Sequence, residues 1–293
     1  MNFAHKKRNV EKFLEVISMI RKKRFTCAFS IALTFVWLTA YADGPDDVDY
    51  RQNVMKTLGN QTNAVFAILQ ERAPGQDLSK HVQALAVTST QILKSFESNS
   101  EGGNAKPEIW NDWDDFAAEA HKLATKLADL QRDIEAGIVD ADQVKEAFTC
   151  KACHDTYRVD KKPEDSQSDA HDDDQNVIHY RRYMMKAMDA QTAALGQMLS
   201  LVIADDNFNS HLEVISINAE MTLSSFEKKV PGGEALPAVW ENWDDFSEQM
   251  NAFTKGIATA TQTAKEQGQN AAMGQIIDAL SCKRCHDHYR EKK

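Results

Sequence analysis

Two five-residue stretches constrain this chain most strongly, Cys150–His154 and Cys282–His286, and each has the pattern Cys-x-x-Cys-His. This pattern is the attachment signature of a c-type haem. Thiols three positions apart lie on neighbouring turns of one helix face, and the histidine that follows can act as an axial iron ligand. A zinc site or a redox dithiol is the alternative for a Cys-x-x-Cys pair. The distance of 132 residues between the pairs, and the histidine after each, favour two haem sites.

Length and composition indicate two helical globular domains. The chain has 293 residues, which is enough for two domains of ordinary size. Hydrophobic residues make up 42% of the sequence, with few glycines and prolines. This balance is typical of packed helices and argues against disorder.

The N-terminus has the pattern of a signal peptide. A basic stretch, Arg21–Arg24, precedes an apolar run of about 16 residues, and Ala40-Tyr41-Ala42 offers a small-x-small cleavage site. The run is short for a membrane span, so an uncleaved anchor is the less favoured alternative. We therefore expect residues 1–42 to be removed on export to the periplasm. Met19 is an alternative start that would give the signal peptide an ordinary length.

The net negative charge of the chain argues against nucleic acid as a partner. Residues 1–42 hold eight Lys/Arg and two Glu, so their removal changes the net charge from −10 to −16. Such an acidic protein, soluble after cleavage, is not expected to bind nucleic acid. A redox partner with a basic docking patch would be its electrostatic complement. The alternative is that the acidic residues only maintain solubility.

The rest of the chain is a tandem repeat. Matched residues at an offset of 130 are Tyr50 and Tyr180, Met55 and Met185, Gln61 and Gln191, His81 and His211, Phe96 and Phe226, and Trp110 and Trp240. The haem motifs are offset by 132, so the second copy has gained two residues. A period this long indicates two whole domains rather than a solenoid. We predict a first domain over 43–158, a polar acidic linker over 159–175 and a second domain over 176–293.

Each copy is expected to form four helices. In the first copy the patterns predict helix A over about 46–71, helix B over about 77–96, helix C from Pro107 to before Gly137, and helix D over about 140–158. Helix C has an apolar seam with steps of four and three residues. No stretch has convincing strand alternation. The predicted fold class is all-α, with two tandem antiparallel four-helix bundles, each holding one haem c between its helices.

The residues also match a known family. Tyr50-Arg51-Gln52, then Glu101-Gly102-Gly103-Asn104, then Cys150 to Arg158 follow in the order and spacing of cytochrome c′, and the second copy keeps most of these positions. The second copy departs from the first at Arg182, where the first copy has Gln52. The chain thus resembles two cytochromes c′ fused in tandem.

This resemblance implies roles for particular residues and two covalently attached haem c groups. Cysteines that would bond to haem are Cys150, Cys153, Cys282 and Cys285. The proximal iron ligands would be His154 and His286. Other residues expected to approach the haems are Arg51, Gln52, Asn104 and Arg158 in the first copy, and Arg181, Arg182, Glu234 and Arg290 in the second. His81 and His211 are expected to serve packing or surface roles.

The residue on the distal side of the iron decides between functions. Met55 and Met185 occupy that position in the family, and thioether ligation would give a low-spin haem with a raised potential, suited to electron transfer. The alternative is that each methionine is only an apolar wall of an open site that binds nitric oxide or carbon monoxide. We expect an electron carrier rather than an enzyme. A peroxidase with two unequal haems is the least favoured alternative. The resemblance also implies pairing through helices A and B, either inside the chain as a pseudo-dimer or between chains as a homodimer.

Overall fold

The computed structural model describes residues 45–159 and 173–292. The predicted signal peptide, the alternative start Met19 and most of the predicted linker lie outside the described residues. Within them the structure is helical, with isolated β-bridges and no strand. The described residues contain no helix with both the length and the apolar character needed to cross a membrane.

The first repeat contains seven α-helices that build the predicted four-helix arrangement. Their bounds are α1 Pro45–Leu69, α2 Leu78–Ser89, α3 Ile92–Phe96, α4 Glu108–Asn111, α5 Trp113–Glu135, α6 Ala141–Ala147 and α7 Cys150–Tyr157. A 3₁₀ turn over Gly75–Asp77 precedes α2. The seam of α5 is buried as the sequence predicts, with Phe116, Leu127 and Leu130 all under 5% exposed.

The second repeat follows the same plan. Its helices are α8 Asp173–Leu199, α9 Phe208–Thr222, α10 Ala238–Glu241, α11 Trp243–Gln267, α12 Gln269–Ala279 and α13 Lys283–Tyr289, with a 3₁₀ turn over Ser224–Phe226 after α9. Helix α8 begins at Asp173, inside the predicted linker. The two extra residues of this copy are absorbed where α11 and α12 meet, because the single Gly268 replaces the loop 136–140 and both helices are longer. Gly268 has φ +87° and ψ 161°, a conformation that in practice only glycine adopts.

Three helices predicted as continuous are interrupted. The expected helix B breaks after Ser89, and helix C breaks at Asp112, where φ is −119° and ψ is 44°. Helix D breaks at Phe148, where φ is −83° and ψ is 87°. The Phe148 ring packs against Phe66 with 5.3 Å between centroids. The break sets the haem-motif helix α7 apart from α6, which starts at a capping box formed by Asp140 and Gln143.

The two repeats pack on each other through the same helices of each copy. Helix α1 contacts α8, and α2 contacts α9. Buried residues form continuous clusters across this contact, such as Val54 and Val65 with Leu195 and Leu212. Met184 belongs to a second cross-repeat cluster and is 1% exposed. The contact therefore buries apolar side chains from both repeats in a shared core.

Candidate functional site

The second repeat encloses a cavity of about 800 Å³ that reaches from α13 to α8. This volume lies in the range of cofactor pockets. All eight residues predicted for the second site line the cavity: Arg181, Arg182, Met185, Glu234, Cys282, Cys285, His286 and Arg290. Its apolar wall includes Phe226, Phe246, Met250 and Phe253. The fold thus brings the attachment motif and Met185 to one cavity.

The motif helix is held by backbone bonds to the loop between the second and third helices of its own bundle. In the second repeat, the Leu236 amide donates to the Tyr289 carbonyl at 3.0 Å, and the Glu291 amide donates to the Glu234 carbonyl at 2.8 Å. The first repeat has the same bonds, from Lys106 to Tyr157 at 3.0 Å and from Val159 to Asn104 at 2.9 Å. Asn104 and Glu234 are therefore next to the helix that carries the proximal histidine.

The pKa values of the motif cysteines and histidines are shifted toward their neutral forms. Burial raises the pKa of all four thiols, that of Cys153 to about 11. Burial also lowers the pKa of His154 and His286, and the neighbouring Arg158 and Arg290 lower each further. A neutral imidazole has a lone pair free for a metal, which is the form that iron binds.

The methionines predicted to lie on the distal side, Met55 and Met185, are on the first helix of each bundle. Met185 lines the cavity with Met188, which is one turn further along α8. The adjacent Met184 points into the core between the repeats and is not part of the cavity lining. In the first repeat, Met55 is half-buried and packs against the same apolar cluster as Cys153. In the second repeat, Met185 and Met188 thus share a cavity with the attachment motif.

Arg51 and Arg181 are buried beside the cavity region, 3% and 5% exposed. The Arg51 guanidinium donates to the Gly102 carbonyl at 2.8 Å, and that of Arg181 donates to the Val230 carbonyl. Each lies over two aromatic rings at 5.0–5.4 Å, Phe96 and Trp110 in the first repeat and Phe226 and Trp240 in the second. Burial lowers both pKa values, that of Arg181 to about 10.

One nitrogen of each arginine has no partner. Nη1 of both Arg51 and Arg181 is buried without a hydrogen-bond acceptor among the described residues. A buried guanidinium N–H without a partner is costly unless a ligand supplies the acceptor. Both positions therefore suit a bound carboxylate.

Polar neighbours of the two sites differ. Arg290 forms an ion pair with Glu234 at 2.6 Å, whereas the first repeat has Asn104 opposite Arg158. Arg182 is exposed at the cavity edge, and its counterpart Gln52 is half-buried near Gly103. Sequence analysis missed Asp189, which lines the second cavity one turn after Met185 and has Gly59 as its counterpart. Comparing the two repeats position by position would have singled it out.

His81 and His211 are fully buried at the contact between the repeats, away from the residues that line the cavity. Each bonds through Nε2 to a tyrosine of the other repeat, His81 to Tyr180 at 2.7 Å and His211 to Tyr50 at 3.0 Å. Sequence analysis gave them a packing or surface role and missed this bridge. The signal was the recurrence of Tyr, Gln and His at matched repeat positions.

One protein family matches both repeats. The family model for cytochrome C′ matches residues 46–158 and, separately, residues 176–290. The chain belongs to the cytochrome c′ family. Cytochrome c′ proteins carry covalently bound haem c, and the thiols, imidazole and apolar cavity described here fit that group. Among the described residues, no three His, Cys, Asp or Glu side chains are grouped so as to hold a metal ion by themselves.

Individual relatives each match about one repeat of this cytochrome c′. A cytochrome c′ of Alcaligenes xylosoxydans xylosoxydans is 30% identical over 128 residues, 41% of this chain and 99% of the relative. A cytochrome c-556 of Agrobacterium tumefaciens (strain II Chrys) is 34% identical over 122 residues, 39% of this chain and 98% of the relative. The solved cytochrome c prime from Shewanella frigidimarina is 24% identical with a TM-score of 0.39, and the match covers 42% of this chain and all of that one.

Proposed function

We propose that this protein is a periplasmic cytochrome with two haem c groups that transfers electrons and has no catalytic activity. The observation that supports the proposal is the cavity that Met185 shares with Cys282, Cys285 and His286. A bound haem c would supply a one-electron redox centre there. Ligation of that iron by the Met185 thioether and the His286 imidazole would give a low-spin centre with a raised potential.

Each group of side chains has a role in this proposal. The paired thiols of Cys150 and Cys153, and of Cys282 and Cys285, would form thioether bonds, and His154 and His286 would bind iron. The unpartnered Nη1 of Arg51 and of Arg181 would donate to a haem carboxylate, because a buried guanidinium pairs best with such an acceptor. Arg158 and Arg290 would lie beside the proximal imidazoles and favour their neutral form.

Haem number can be tested by removing one motif at a time. The purified protein should contain two haems per chain. Replacing both Cys150 and Cys153 with Ala should leave one, and so should replacing Cys282 and Cys285. A wild-type ratio of one haem per chain would contradict the dihaem proposal.

Ligation can be tested with three volume-conserving substitutions. Met55→Leu and Met185→Leu should each convert one of the two haems from low to high spin, as read from the optical spectrum of the reduced protein. Met184→Leu is the matched control, because Met184 lies in the core between the repeats. Unchanged spectra in Met55→Leu and Met185→Leu would favour the alternative, an open site that binds nitric oxide or carbon monoxide.

The strongly acidic chain is proposed to dock with a redox partner that has a basic patch. Electrostatically guided association weakens steeply with salt. The rate of electron exchange with a basic redox protein should therefore fall as ionic strength rises, whereas exchange with an acidic redox protein should be slow at low salt and become faster as salt screens the repulsion. The contacts of α1 with α8 and of α2 with α9 are consistent with an intramolecular pseudo-dimer. A sedimentation mass of one chain would support it, and a mass of two chains would not.

A further inference from the structure

Two hydrogen-bonded chains of polar side chains, all buried except the half-buried Asn207, cross the contact between the repeats. The first chain consists of Asp77, Tyr180, His81 and Gln61, and the second consists of Asn207, Tyr50, His211 and Gln191. Every member of one chain has its counterpart in the other at the repeat offset of 130. The residue types agree at three positions and differ at the fourth, where Asp77 stands against Asn207. Because of this one difference, the two chains need different numbers of protons to form all their hydrogen bonds.

Hydrogen-bond directions in the first chain are fixed from one end. Asn218 donates through Nδ2 to the Val214 carbonyl at 2.8 Å, so its Oδ1 is an acceptor toward Gln61. Gln61 therefore donates its Nε2–H to that oxygen at 2.7 Å and offers Oε1 to His81. The 2.6 Å contact between Gln61 Oε1 and His81 Nδ1 then requires a proton on Nδ1. In a neutral imidazole, Nε2 of His81 is left as an acceptor.

The tyrosine hydroxyl of this chain then faces two acceptors. Tyr180 lies 2.7 Å from Nε2 of His81 and 3.0 Å from Oδ2 of Asp77. A phenol has one proton to donate, so it cannot satisfy a bare imidazole nitrogen and an ionised carboxylate together. Tyr180 and Asp77 are 2% and 6% exposed. A missing hydrogen bond between such buried groups is costly. All the hydrogen bonds of this chain can therefore form only if it holds one additional proton.

The second chain needs no additional proton. Asn207 donates its Nδ2–H to the Tyr50 hydroxyl at 2.9 Å. Tyr50 can then give its own proton to Nε2 of His211 at 3.0 Å, and Nδ1–H of His211 can donate to Gln191. The Gln191 amide nitrogen has no partner among the described residues, so either orientation of this amide is open. All members remain neutral in both orientations.

We infer that the Asp77–Tyr180–His81–Gln61 chain holds one proton that its counterpart lacks, and that this proton is bound when the two repeats pack together and is lost when they separate. The proton resides on the Asp77 carboxyl group, which then donates to the Tyr180 oxygen while Tyr180 donates to His81. The stability of the contact between the two repeats therefore depends on pH. The inference concerns the repeat contact and does not depend on the proposed electron transfer.

Groups around Asp77 are compatible with a neutral carboxyl. The uncharged Tyr180 faces it from α8 and the uncharged Ser224 from the 3₁₀ turn after α9, and burial raises the pKa of Asp77 more than these two hydrogen bonds lower it. Lys80 on α2 is the nearby cation, but its Nζ pairs with Glu220 of α9 at 2.9 Å, and Glu227 adds a negative charge. Burial raises the pKa of Asp77 and lowers that of His81 to about 3. Both effects favour the proton on the carboxyl rather than on the imidazole.

The sign of the pH effect follows from linkage. An ordinary aspartate in the unfolded chain loses its proton near pH 3.9, whereas Asp77 keeps it in the fold. The contribution of this carboxyl to stability is therefore fully present at low pH. It is lost as pH rises from about 4 to the pH at which Asp77 ionises in the folded protein. Over that pH range the unfolded chain has released a proton that the folded protein keeps, so the unfolding constant rises about tenfold per pH unit.

A comparison of isosteric variants tests the inference. We expect the ratio of the wild-type unfolding constant to that of Asp77→Asn to rise about tenfold per pH unit over at least one unit between pH 4.5 and 7.5. His211 and the surface groups are common to both proteins and cancel from the ratio. Asn207→Asp is the matched variant, since it adds a carboxyl to the second chain. Its own unfolding constant should rise relative to wild type as pH rises, over a narrower pH range because residue 207 is only half-buried. A ratio that stays constant with pH for Asp77→Asn would overturn the inference.

The protonated carboxyl can also be observed directly in the wild-type holoprotein. Carbon-13 NMR should show the Asp77 side-chain carboxyl carbon at the position of a protonated acid at pH 6, with a single change at higher pH. Infrared difference spectra between wild type and Asp77→Asn should contain one band of a protonated carboxyl. A carboxylate signal for Asp77 at pH 5 would contradict the inference even if a variant failed to fold.

Discussion

The haem-motif helix is held in the same way in the two repeats, but the side chains around it differ. Tyr157 and Tyr289 pack edge-on against Phe116 and Phe246 with 5.3 and 5.2 Å between centroids. Beside these matched pairs, Glu234 and Arg290 form an ion pair that the first repeat lacks, because it has Asn104. The frame that orients the motif is thus shared, and the polar surroundings have diverged.

The same contrast holds where the repeats meet. His81 and His211, and the tyrosines they contact, form equivalent bridges. The bridge through His81 ends at Asp77, whereas the bridge through His211 ends at Asn207. The two copies therefore have matching contacts but differ in charge beside the motif helix and in the number of protons needed at their contact. The comparison predicts that matched mutations in the two repeats have unequal effects.

The largest difference is expected for the bridging tyrosines. Tyr180→Phe removes the hydroxyl between a buried carboxyl and a buried imidazole, so it should lower the free energy of unfolding by about 3 kcal/mol. Tyr50→Phe should cost only about 1 kcal/mol, because it leaves one fully buried partner, His211, without its hydrogen bond, while its other partner, Asn207, is only half-buried. Chemical denaturation of both variants measures the difference. Equal costs would show that the two bridges are energetically the same.

A smaller difference is expected at the connection to the last helical segment. Gly268→Ala places a side chain at φ +87° and ψ 161°, which should cost about 2 kcal/mol. Gly137→Ala, at φ +71° in the longer loop of the first repeat, should cost about 1 kcal/mol because that loop can adjust. Thermal unfolding at pH 7 would compare them. A larger loss of stability in Gly137→Ala than in Gly268→Ala would contradict the prediction that the connection at Gly268 is the more constrained of the two.

The smallest effect is expected at the ion pair beside the second motif. Both partners are more than a third exposed, so Glu234→Gln should cost about 0.5 kcal/mol, and less at high salt. Asn104→Asp is the reciprocal change and should gain no more than this through Arg158. Free energies of unfolding at two salt concentrations test the pair. A loss above 2 kcal/mol in Glu234→Gln would mean that the pair is buried by the haem.

Much of this comparison could be predicted from the sequence. The repeat, the all-α class and the haem motifs follow from residues at fixed offsets, such as Met55 with Met185 and Cys150 with Cys282. The break at Phe148 could not be predicted, because the stretch from Asp140 to Arg158 has no proline or glycine and the ring leaves the helix to meet the distant Phe66. The bridges through His81 and His211 could not be predicted either, since they depend on how the two domains pack.

Carbon monoxide binding to the reduced wild-type protein tests the central claim most directly, namely that Met55 and Met185 bind iron in both repeats. The optical spectrum of the reduced protein is recorded before and after saturation with the gas. If both sulfurs occupy the distal positions, both haems should give sharp low-spin bands that the gas does not change. Broad high-spin bands that shift for one or both haems when the gas is added would contradict the claim.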